Sequence, residues 1–386
     1  MTAHAYDVTI VGAGIVGAAL ALSLRDSGLS LALVEPHAPA APETEWDSRI
    51  YAISPGSAAF LRSMGVWQEF DASRIEPVYG MEIRGDGGAL LSFDAYREGL
   101  PQLAWIMESN RIQHGLWAAL QKQANLTIFS ARTRQLSWSA AAGYLQLDDG
   151  AEIVAKLIVA ADGGQSWVRS QVGIASRCEP YRQFGVVANF AVERAHDGIA
   201  RQWFRDDGVL AWLPLPDRHI SIVWATDDAH TQALLAANAQ DLADEVARAG
   251  DRMLGELRQT GVAAAFPLSL NRVDALVKPR LALIGDAAHS VHPLAGQGVN
   301  LGLRDAQSLS RILLGRGAAD CGELAQLRRY ERSRAGDIAA IQTVTDGLHH
   351  LFRDRNPWVG KLRNAGMAWT NHIGPLKSLL IRQALG

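Results

Sequence analysis

Residues 6–17 read YDVTIVGAGIVG, and this stretch decides the fold. Its first half is a β-rich apolar run, and its second half has the spacing GxGxxG, with glycines at positions 12, 14 and 17. A helical pattern follows, and then a second apolar run, Ser30–Val34, which predicts another strand. This order of strand, glycine-rich turn, helix and strand predicts the βαβ unit that binds a dinucleotide.

The second predicted strand ends at Glu35, 23 positions after Gly12. In such units a carboxylate about 20 positions after the glycines takes a ribose hydroxyl, and a glutamate rather than an arginine favours an unphosphorylated ribose. The glycines allow a tight turn, close approach of the backbone to a pyrophosphate and close packing of helix on strand. We expect the adenosine diphosphate part of the ligand to contact Gly12, Gly14, Ile15, Val16, Gly17 and Glu35.

A similar stretch lies far along the chain, at residues 281–309 (LALIGDAAHSVHPLAGQGVNLGLRDAQSL). Its apolar start predicts a buried strand that ends at Gly285 and Asp286, and a helical pattern begins near Val299. A glycine-flanked loop that leads into a helix leaves free N–H groups and a partial positive charge at the helix N-terminus. This loop is a second candidate for ligand binding, although an ordinary strand–loop–helix connection would look the same.

Asp162 and Gly163 follow a further predicted strand, residues 152–161. Ligands of open α/β sheets bind at the carboxyl ends of the strands, where these residues lie. One βαβ unit is enough to hold an adenosine diphosphate. Asp286 and the N-terminus of the helix predicted near Val299 are then left over, which indicates a ligand longer than adenosine diphosphate. FAD fits this set, because a ribityl hydroxyl suits Asp286 and the flavin pyrimidine, anionic on reduction, suits the helix N-terminus. The sequence has no second GxGxxG unit, so NAD(P)H has no Rossmann domain of its own.

Composition and charge exclude several other classes of protein. The formal net charge of −3 argues against nucleic acid as a partner, because proteins that track phosphates are usually basic. Two cysteines without CxxC spacing exclude a disulfide scaffold, a zinc ribbon and a dithiol reductase, and we expect no metal. The apolar run Val8–Leu24 is interrupted by glycines and lacks a basic flank, so it is neither a signal peptide nor a membrane span. We expect a cytoplasmic protein.

Between residues 183 and 226 the apolar pattern changes to period two, with aromatic-rich strands and polar turns, which predicts an antiparallel sheet. We therefore expect an α/β protein with a Rossmann-like FAD-binding domain, an inserted, mainly antiparallel β-sheet substrate domain, and C-terminal helices. The predicted bounds are 1–75, 106–175 and 279–335 for the discontinuous FAD-binding domain, 76–105 and 176–278 for the substrate domain, and 336–386 for the C-terminal helical segment.

The apolar periodicity of the C-terminal segment predicts three amphipathic helices, at Ile338–Phe352, Trp358–Asn371 and Pro375–Leu385. From Arg328 onward the chain is rich in arginine and lysine and has few acids. Such a surface is either a solvated helix face or a face that rests on anionic lipid or on a partner protein. The solvated face is slightly preferred, and contact with the inner membrane face stays open.

Three motifs together resemble those of the group A FAD-dependent aromatic hydroxylases, which include para-hydroxybenzoate hydroxylase. They are GAGIVG, ADGGQSWVR at residues 161–169 and GDAAHSVHPLAGQGVNLGLRDA at residues 285–306. Within that group, HPLAGQGVNLGLRD and the tail LHHLFRDRNPWVGKLRNAG resemble the ubiquinone-biosynthesis hydroxylases, the UbiH/Coq6 family. The resemblance extends from Tyr6 to about Gly386.

The resemblance implies roles for residues that spacing alone does not assign. By this likeness Arg49 lies near the cofactor, and Arg111, at a position that varies within the family, is a weaker contact. Asp162 and Gly163 would serve FAD and transiently bound NAD(P)H, and Asp286 would bind the ribityl chain. The remaining cofactor contacts that the resemblance implies are Gly285, Pro293, Gly296, Gln297, Gly298, Val299 and Asn300.

The resemblance also implies a monooxygenase. NAD(P)H or another donor would reduce FAD, O2 would add at flavin C4a, and the hydroperoxide would transfer one oxygen atom to a phenol ring. The implied substrate is a polyprenylated phenol or quinol of ubiquinone biosynthesis, and other proteins of that pathway are implied partners. A hydroxylase of a small soluble aromatic, a flavoprotein reductase and a non-enzymatic FAD-binding scaffold remain alternatives. The sequence assigns no base that would ionise the phenol. His289 and His292 lie in the third motif, but a structural role in the loop is preferred for each.

Overall fold

The computed structural model describes residues 3–291 and 296–353 of the chain. The helices expected at Trp358–Asn371 and Pro375–Leu385 lie outside the described residues. Within the described ranges the chain forms three β-sheets with α-helices packed around them, and the α/β class predicted from the sequence is confirmed. Of the helices in this part of the chain, none is long and apolar enough to cross a membrane.

The strands in chain order are β1 (Ala3–Val11), β2 (Leu31–Val34), β3 (Ile50–Ile53), β4 (Glu76–Val78), β5 (Gly80–Arg84), β6 (Leu90–Asp94), β7 (Ala104–Glu108), β8 (Leu126–Phe129), β9 (Thr133–Trp138), β10 (Gly143–Leu147), β11 (Glu152–Ala160), β12 (Ser176–Val192), β13 (Ile199–Arg205), β14 (Gly208–Leu215), β15 (His219–Thr226), β16 (Leu257–Gln259), β17 (Ala264–Val273), β18 (Val277–Lys278) and β19 (Leu281–Leu283). The α-helices are α1 (Ile15–Ser23), α2 (Pro55–Ser63), α3 (Ser109–Leu120), α4 (Trp167–Gln171), α5 (Asp228–Ala236), α6 (Ala239–Ala249), α7 (Gly298–Leu314) and α8 (Leu324–Arg353). Short 3₁₀ turns occupy Trp67–Glu69, Ala72–Arg74 and Gly285–Ala287.

The first sheet builds the part of the fold that the GAGIVG motif predicted. Its strands follow the order β18–β19–β11–β1–β2–β8, and β10 and β9 extend it from β11. The core strands are parallel, and their runs are apolar because both faces of a parallel sheet are buried. Val11 lies opposite both Val34 and Ala160. Ala160 in turn lies opposite Leu283, so four strands end at the same edge of the sheet.

The second sheet is the inserted one. Its order is β16–β12–β15–β14–β13–β5–β6, and β17 also pairs with β12. Its pairs are antiparallel apart from β13 and β5, which run parallel. Helices α5 and α6 cover one face, where Phe190, Trp212 and Trp224 share a buried cluster with Leu234 and Val246. These aromatic side chains therefore belong to a core and do not line a ligand site.

A small third sheet lies between the two large ones. In it β7 pairs with β3 on one side and with β4 on the other. Ala52 and Ile106 from this sheet share an apolar cluster with Ala200 and Leu215 from the inserted sheet. We call this the junction cluster, and its members are Trp46, Ile50, Ala52, Val78, Leu103, Ala104, Ile106, Ala200, Leu213 and Leu215.

Helix α1 lies close to α7 at one glycine and close to the turn after β19 at another. Val16 of α1 packs against Gly302 of α7, where an added Cβ would lie 2.6 Å from a Val16 methyl carbon. Val16 also faces Gly285, whose φ of +59° falls in the region that favours glycine. The side chain of Val16 thus fills a hole formed by these two glycines, and the start of α1 lies against the loop that follows β19.

The helix expected at Ile338–Phe352 begins earlier, at Leu324. Tyr330, Arg334 and Ile338 are buried along one face of it at helical spacing. Arg334 is charged although it is buried, so it interrupts the apolar pattern of this face. The helix start predicted from that pattern was therefore too late in the chain. α8 is continuous across the start predicted for the C-terminal segment, and the domain bounds stay a prediction.

We predict that Gly302→Ala destabilises the protein, although alanine is the better helix former. The added methyl group would overlap Val16 and would lie 3.2 Å from the Cα of Gly285. Overpacking of this kind costs about 1–3 kcal/mol. The midpoint of thermal unfolding, followed by circular dichroism on the purified protein, should fall.

Gly336→Ala is the matched control, because Gly336 lies in α8 and an added Cβ there would have no heavy atom of the described chain within 4 Å. Helix propensity should then raise the midpoint, by a free energy of up to about 1 kcal/mol. Equal midpoints for the two alanine variants would contradict the close contact between α1 and α7.

Candidate functional site

Four of the predicted motifs meet at one edge of the first sheet. The strands β1, β2, β11 and β19 end side by side, and Gly12, Glu35, Asp162 and Gly285 follow them within two residues. The crevice outside the carboxyl ends of parallel strands is the usual ligand site of such sheets. The structure therefore brings residues from both ends of the chain to one crevice.

The GAGIVG turn has no room for side chains at two of its three glycines. Gly12 has a φ of +100°, and a Cβ there would lie 2.4 Å from the carbonyl oxygen of Ala161. A Cβ on Gly17 would lie 2.0 Å from the carbonyl oxygen of Gly12. At Gly14, in contrast, no heavy atom of the described residues lies within 4 Å of an added Cβ. The turn is closely packed on the protein side and open on the other, as a pyrophosphate site requires.

Glu35 shapes this turn. One oxygen of its carboxylate accepts a hydrogen bond from the amide of Ala13 (2.8 Å), and the other accepts one from the amide of His37 (3.3 Å). Helix α1 begins at Ile15 without a side chain that caps its amides. The first amides of a helix have no partner within the helix, so those of Ile15 and Val16 can bind an anion.

The N-terminus of α7 is open in the same way. The helix begins at Gly298 without a side-chain cap, and an added Cβ on Gly298 would meet no heavy atom of the described residues within 4 Å. Gly296 has a φ of +59°, and Val299 is buried behind the opening. Within the described ranges, no side chain covers the positive end of this helix dipole. Pro293 and His292, which precede it in sequence, lie outside the described residues.

Asp286 lies in the 3₁₀ turn after β19. Much of its side chain is exposed, yet protein surrounds it closely enough to displace bulk water, and this desolvation raises the pKa of the carboxyl. The nearby His289 and Arg49 oppose that rise. An exposed carboxyl with a raised pKa is typical of the floor of a cleft, where it can exchange hydrogen bonds with a hydroxyl group.

Arg49 lies near enough to act electrostatically on both Asp286 and Tyr51. Burial raises the pKa of the Tyr51 hydroxyl, and the charge of Arg49 opposes this rise. The backbone of Arg49 is held from two sides, because its amide donates to Asp47 (3.0 Å) and its carbonyl accepts from the amide of Ser109 (2.9 Å). Its side chain is exposed, so the guanidinium is free to meet a ligand at the crevice.

The carboxylate of Asp162 is already used by the protein. It accepts hydrogen bonds from the hydroxyl of Ser166 (2.5 Å) and from the amide of Val168 (3.0 Å), so it stabilises the start of α4. The adjacent Gly163 has a φ of +84°, which favours glycine at this turn. Asp162 therefore shapes one wall of the crevice.

Arg169 joins two of the motifs and was not among the predicted site residues. It is buried, and its guanidinium donates to the carbonyl of Gly164 (2.8 Å) and to that of Ala287 (2.7 Å). The turn after β11 is thereby connected to the turn after β19. An arginine at the start of a predicted helix gives no sign in the sequence that it is buried.

The side-chain amide of Asn300 is also occupied. It donates to the carbonyls of Ala52 (2.8 Å) and Gly296 (3.2 Å), and it accepts from the amide of Ser54 (2.9 Å). Asn300 is 1% exposed. It therefore connects β3 to the start of α7, and only its backbone is left to contact a ligand.

Asp305 holds the loop after β19 in place, and the sequence analysis did not single it out. One oxygen of its carboxylate accepts from the amide of Gly285 (3.0 Å) and contacts Nε2 of His289 (2.6 Å). The other oxygen pairs with Arg334 of α8 (2.8 Å). Burial alone would raise the pKa of Asp305, but His289 and Arg334 hold it below its usual value. The sequence offered one sign of this role, because Asp305 is a charged residue on a helix face that is otherwise mostly apolar.

Glu108 forms a second buried centre of charge. It pairs with Arg74 (2.7 Å) and Arg111 (2.8 Å), and it accepts from the amide of Asp47 (2.9 Å). Arg111 also donates to the carbonyl of Glu43 (2.8 Å). The guanidinium of Arg111 is thus directed toward the loop before β3, and these partners do not belong to the strand-end motifs.

The crevice fits an extended ligand that carries anionic groups at two places. The uncapped N-termini of α1 and α7 both adjoin it, and Val16 in contact with Gly285 joins the two halves. FAD has this form, with a pyrophosphate, a ribityl chain and a flavin that becomes anionic on reduction. As far as the described residues show, the space beside Gly14 and Gly298 is open and leaves room for it.

Comparison with known proteins agrees with this geometry. A family model described as FAD binding domain matches residues 5–343. The chain is similar to 3-demethoxyubiquinol 3-hydroxylase from Escherichia coli, at 35% identity over 100% of both chains. It is similar to ubiquinone biosynthesis monooxygenase COQ6, mitochondrial, from Homo sapiens, at 31% identity over 97% of this chain and 92% of that one. In fold it is similar to p-nitrophenol 4-monooxygenase PnpA from Pseudomonas putida DLL-E4, with a TM-score of 0.79, 19% identity and 99% of each chain covered.

The fold and the site thus define an FAD-dependent monooxygenase of the FAD binding domain family. Within that class, the chain belongs to the family of ubiquinone-biosynthesis hydroxylases. The resemblance stated from the motifs is confirmed, and so is FAD as the cofactor. The contacts assigned to single residues stay predictions.

We predict that Asp305→Asn destabilises the protein strongly at neutral pH. Removing Asp305 leaves the buried Nε of Arg334 without its partner and leaves the guanidinium only the exposed Asp337, and breaking a buried pair costs about 3–5 kcal/mol. The folded-state pKa of Asp305 lies below its unfolded value, so its contribution is present above about pH 4 and is lost as the pH falls further. Urea unfolding at pH 7 and at pH 3 should therefore show the largest difference from wild type at pH 7.

Asp337→Asn is the matched control, because Asp337 pairs with the same arginine at 2.6 Å but has a side chain that is 55% exposed. An exposed partner of this kind contributes about 0–1 kcal/mol. If both asparagine variants lost the same stability, or if the loss from Asp305→Asn grew in acid, the buried pair would not have the role described.

Proposed function

We propose that this protein hydroxylates the aromatic ring of a polyprenylated phenol or quinol in ubiquinone biosynthesis. The similarity to 3-demethoxyubiquinol 3-hydroxylase carries the proposal, because it covers 100% of both chains and so includes the inserted sheet as well as the FAD-binding part. Bound FAD supplies the chemistry that activates O2 and delivers one oxygen atom to the ring, with NAD(P)H as the transient reductant.

The GAGIVG turn holds the adenosine diphosphate part of FAD in this proposal. The amides of Ile15 and Val16 bind the pyrophosphate at the open side of Gly14, where the helix dipole favours negative charge. Glu35 takes the ribose while it keeps the hydrogen bond from Ala13. Gly12 and Gly17 contribute the close packing that lets the backbone approach the ligand.

The start of α7 holds the flavin part. Its open N-terminus, formed by the backbone of residues 296–300, stabilises the negative charge of the reduced ring. Asp286 takes a ribityl hydroxyl, and Arg49 contributes a positive charge nearby. Asn300 and Arg111 act as positioning residues in this proposal, because their polar groups are already bound to the protein.

The junction cluster closes the reaction site against water. Its apolar side chains come from the inserted sheet and from the third sheet, and an added Cβ on Gly296 would lie 3.5 Å from the Cβ of its member Ala52. We place the substrate ring next to this cluster. Water excluded in this way strengthens the electrostatic interactions inside the site and prevents side reactions. Because the cluster is apolar, none of its members is assigned as a base for the phenol.

The test uses a strain that lacks this protein and measures its extracted lipids by mass spectrometry. The strain should accumulate a prenylated phenol or quinol that lacks one ring hydroxyl, and wild-type protein should restore ubiquinone. Asp286→Ala should fail to restore it. Asp26→Ala is the control, since Asp26 is 91% exposed and pairs with its neighbour Arg25.

Two outcomes would overturn this assignment. Normal ubiquinone content in the deletion strain would favour a hydroxylase of a small soluble aromatic. An intermediate with all ring hydroxyls and an altered prenyl chain would favour a flavoprotein reductase.

We further propose that the basic C-terminal residues rest on an anionic membrane surface, where a prenylated substrate would be found. Arg329 and Arg332 are exposed on α8, ahead of more basic sequence. Each cation near an anionic surface contributes about 1 kcal/mol. Replacement of Lys361, Arg363, Lys377 and Arg382 by glutamine should therefore lower sedimentation with phosphatidylglycerol vesicles by tenfold or more.

The control for this experiment removes the same charge from another surface. Four exposed arginines serve for this: Arg134 on the first sheet, Arg177 and Arg258 on the inserted sheet, and Arg194 just after β12. Their replacement by glutamine should leave sedimentation unchanged. Equal losses in the two quadruple variants would show only a general charge effect and would refute the membrane-facing segment.

A further inference from the structure

A pocket of about 230 Å³ lies between α2, α7 and α8, on a part of α7 beyond its predicted flavin end. Leu303 and Phe60 form its apolar lining, while Arg304, Arg311 and Ser308 of α7 contribute polar groups. Sites that enclose drug-sized ligands measure roughly 300–1,000 Å³. This pocket therefore suits a small anion, or one group of a larger ligand.

Arg304 is the residue that points to the nature of the ligand. Its guanidinium donates to Oε1 of Gln297 at 3.3 Å, but its buried Nε atom has no hydrogen-bond partner among the described residues. Burial, together with the charge of Arg334, lowers the pKa of Arg304, and the more distant charges of Asp337 and Asp305 oppose this change. A partly desolvated guanidinium that lacks a carboxylate is costly unless an anion binds to it. Among residues 3–291 and 296–353, no carboxylate forms an ion pair with Arg304.

The other charges of the pocket leave it positive. Arg311 is exposed and likewise forms no ion pair within the described chain. Arg334 and Asp337 also line the pocket, and Arg334 is bound by both Asp337 and the buried Asp305. These three groups together carry one negative charge, so the two charges of Arg304 and Arg311 leave a surplus of one positive charge.

Small polar groups complete the lining, but most of their protons are already used. Ser333 donates to the carbonyl of Tyr330 (2.7 Å), so the hydroxyl of Ser308 donates to Ser333 (2.6 Å). Gly56 and Ser57 of α2 also lie at the pocket, and the amide of Ser57 donates to the hydroxyl of Ser54. The first turn of a helix carries a partial positive charge, which adds to that of the arginines. A tetrahedral oxyanion accepts hydrogen bonds from several directions, and the guanidinium groups of Arg304 and Arg311 are the donors available to it.

We propose that the pocket between α2, α7 and α8 binds a phosphate group through Arg304 and Arg311. The phosphate is either a free inorganic ion or the monoester phosphate of a dinucleotide. Arg304 connects the pocket to Gln297 at the start of α7, so a bound phosphate lies one helix turn or two from the loop proposed for the flavin. This inference does not depend on which phenol the enzyme hydroxylates.

The test measures binding to the full-length protein with FAD bound, by titration calorimetry at constant ionic strength. Inorganic phosphate is the first probe, and the redox-inert pair NADP⁺ and NAD⁺ is the second. Arg304→Gln and Arg311→Gln should each weaken binding at least about tenfold, because each removes charge-assisted hydrogen bonds. Arg311 is exposed, so its variant tests the pocket even if Arg304→Gln folds poorly.

Arg332→Gln is the matched control, since Arg332 is exposed on α8 and does not line the pocket. It removes the same charge and should leave both affinities unchanged. Loss of phosphate binding in the two pocket variants supports a free-ion site. Loss of the preference for NADP⁺ over NAD⁺ supports a dinucleotide phosphate. If no probe binds the wild type, or if all three glutamine variants bind alike, the proposal is wrong.

Discussion

The contact of Val16 with Gly285 and Gly302 is the constraint on which the cofactor crevice depends. It places the first turn of α1 directly against the loop after β19, although the two segments come from opposite ends of the chain. Both segments carry an uncapped helix N-terminus, so their distance decides whether one ligand can reach both. A side chain larger than hydrogen at either glycine would separate them. Interiors are packed too densely for neighbouring atoms to absorb such a change without cost.

Two buried carboxylates, Asp305 and Glu108, hold the loops that border the crevice. Asp305 joins the amide of Gly285, the ring of His289 and the guanidinium of Arg334, so α8 braces the loop that carries Asp286. Glu108 acts in the same manner on the loop that leads to Arg49, through the amide of Asp47. Buried ion pairs contribute little net stability compared with apolar packing, but their hydrogen bonds have strict geometry. In this protein they lie beneath loops and not in the sheet core, which suggests that positioning is their role.

The motifs that could be predicted from the sequence are those in which local spacing and chemistry coincide. GAGIVG, Glu35 and the strand that ends at Gly285 each show a pattern within a few residues, and the structure places all three at one crevice. The side chains that hold the crevice could not be found in this way. Asp305 and Arg334 lie on different helices, and neither has a local pattern that reveals its partner. Asn300 was expected at the flavin, yet its amide is bound to Ala52 and Ser54.

The sequence by itself determined the dinucleotide-binding unit and the inserted antiparallel sheet, because periodicity and glycine spacing report on local backbone geometry. It indicated the family through the resemblance of three motifs. Only the tertiary structure decided which polar side chains face the crevice and which form hydrogen bonds within the protein that hold its loops in place. That choice depends on hydrogen-bond partners far apart in the chain, which most buried polar groups find. The Nε atom of Arg304 is one of the exceptions among the described residues, and it lies at the pocket between α2, α7 and α8.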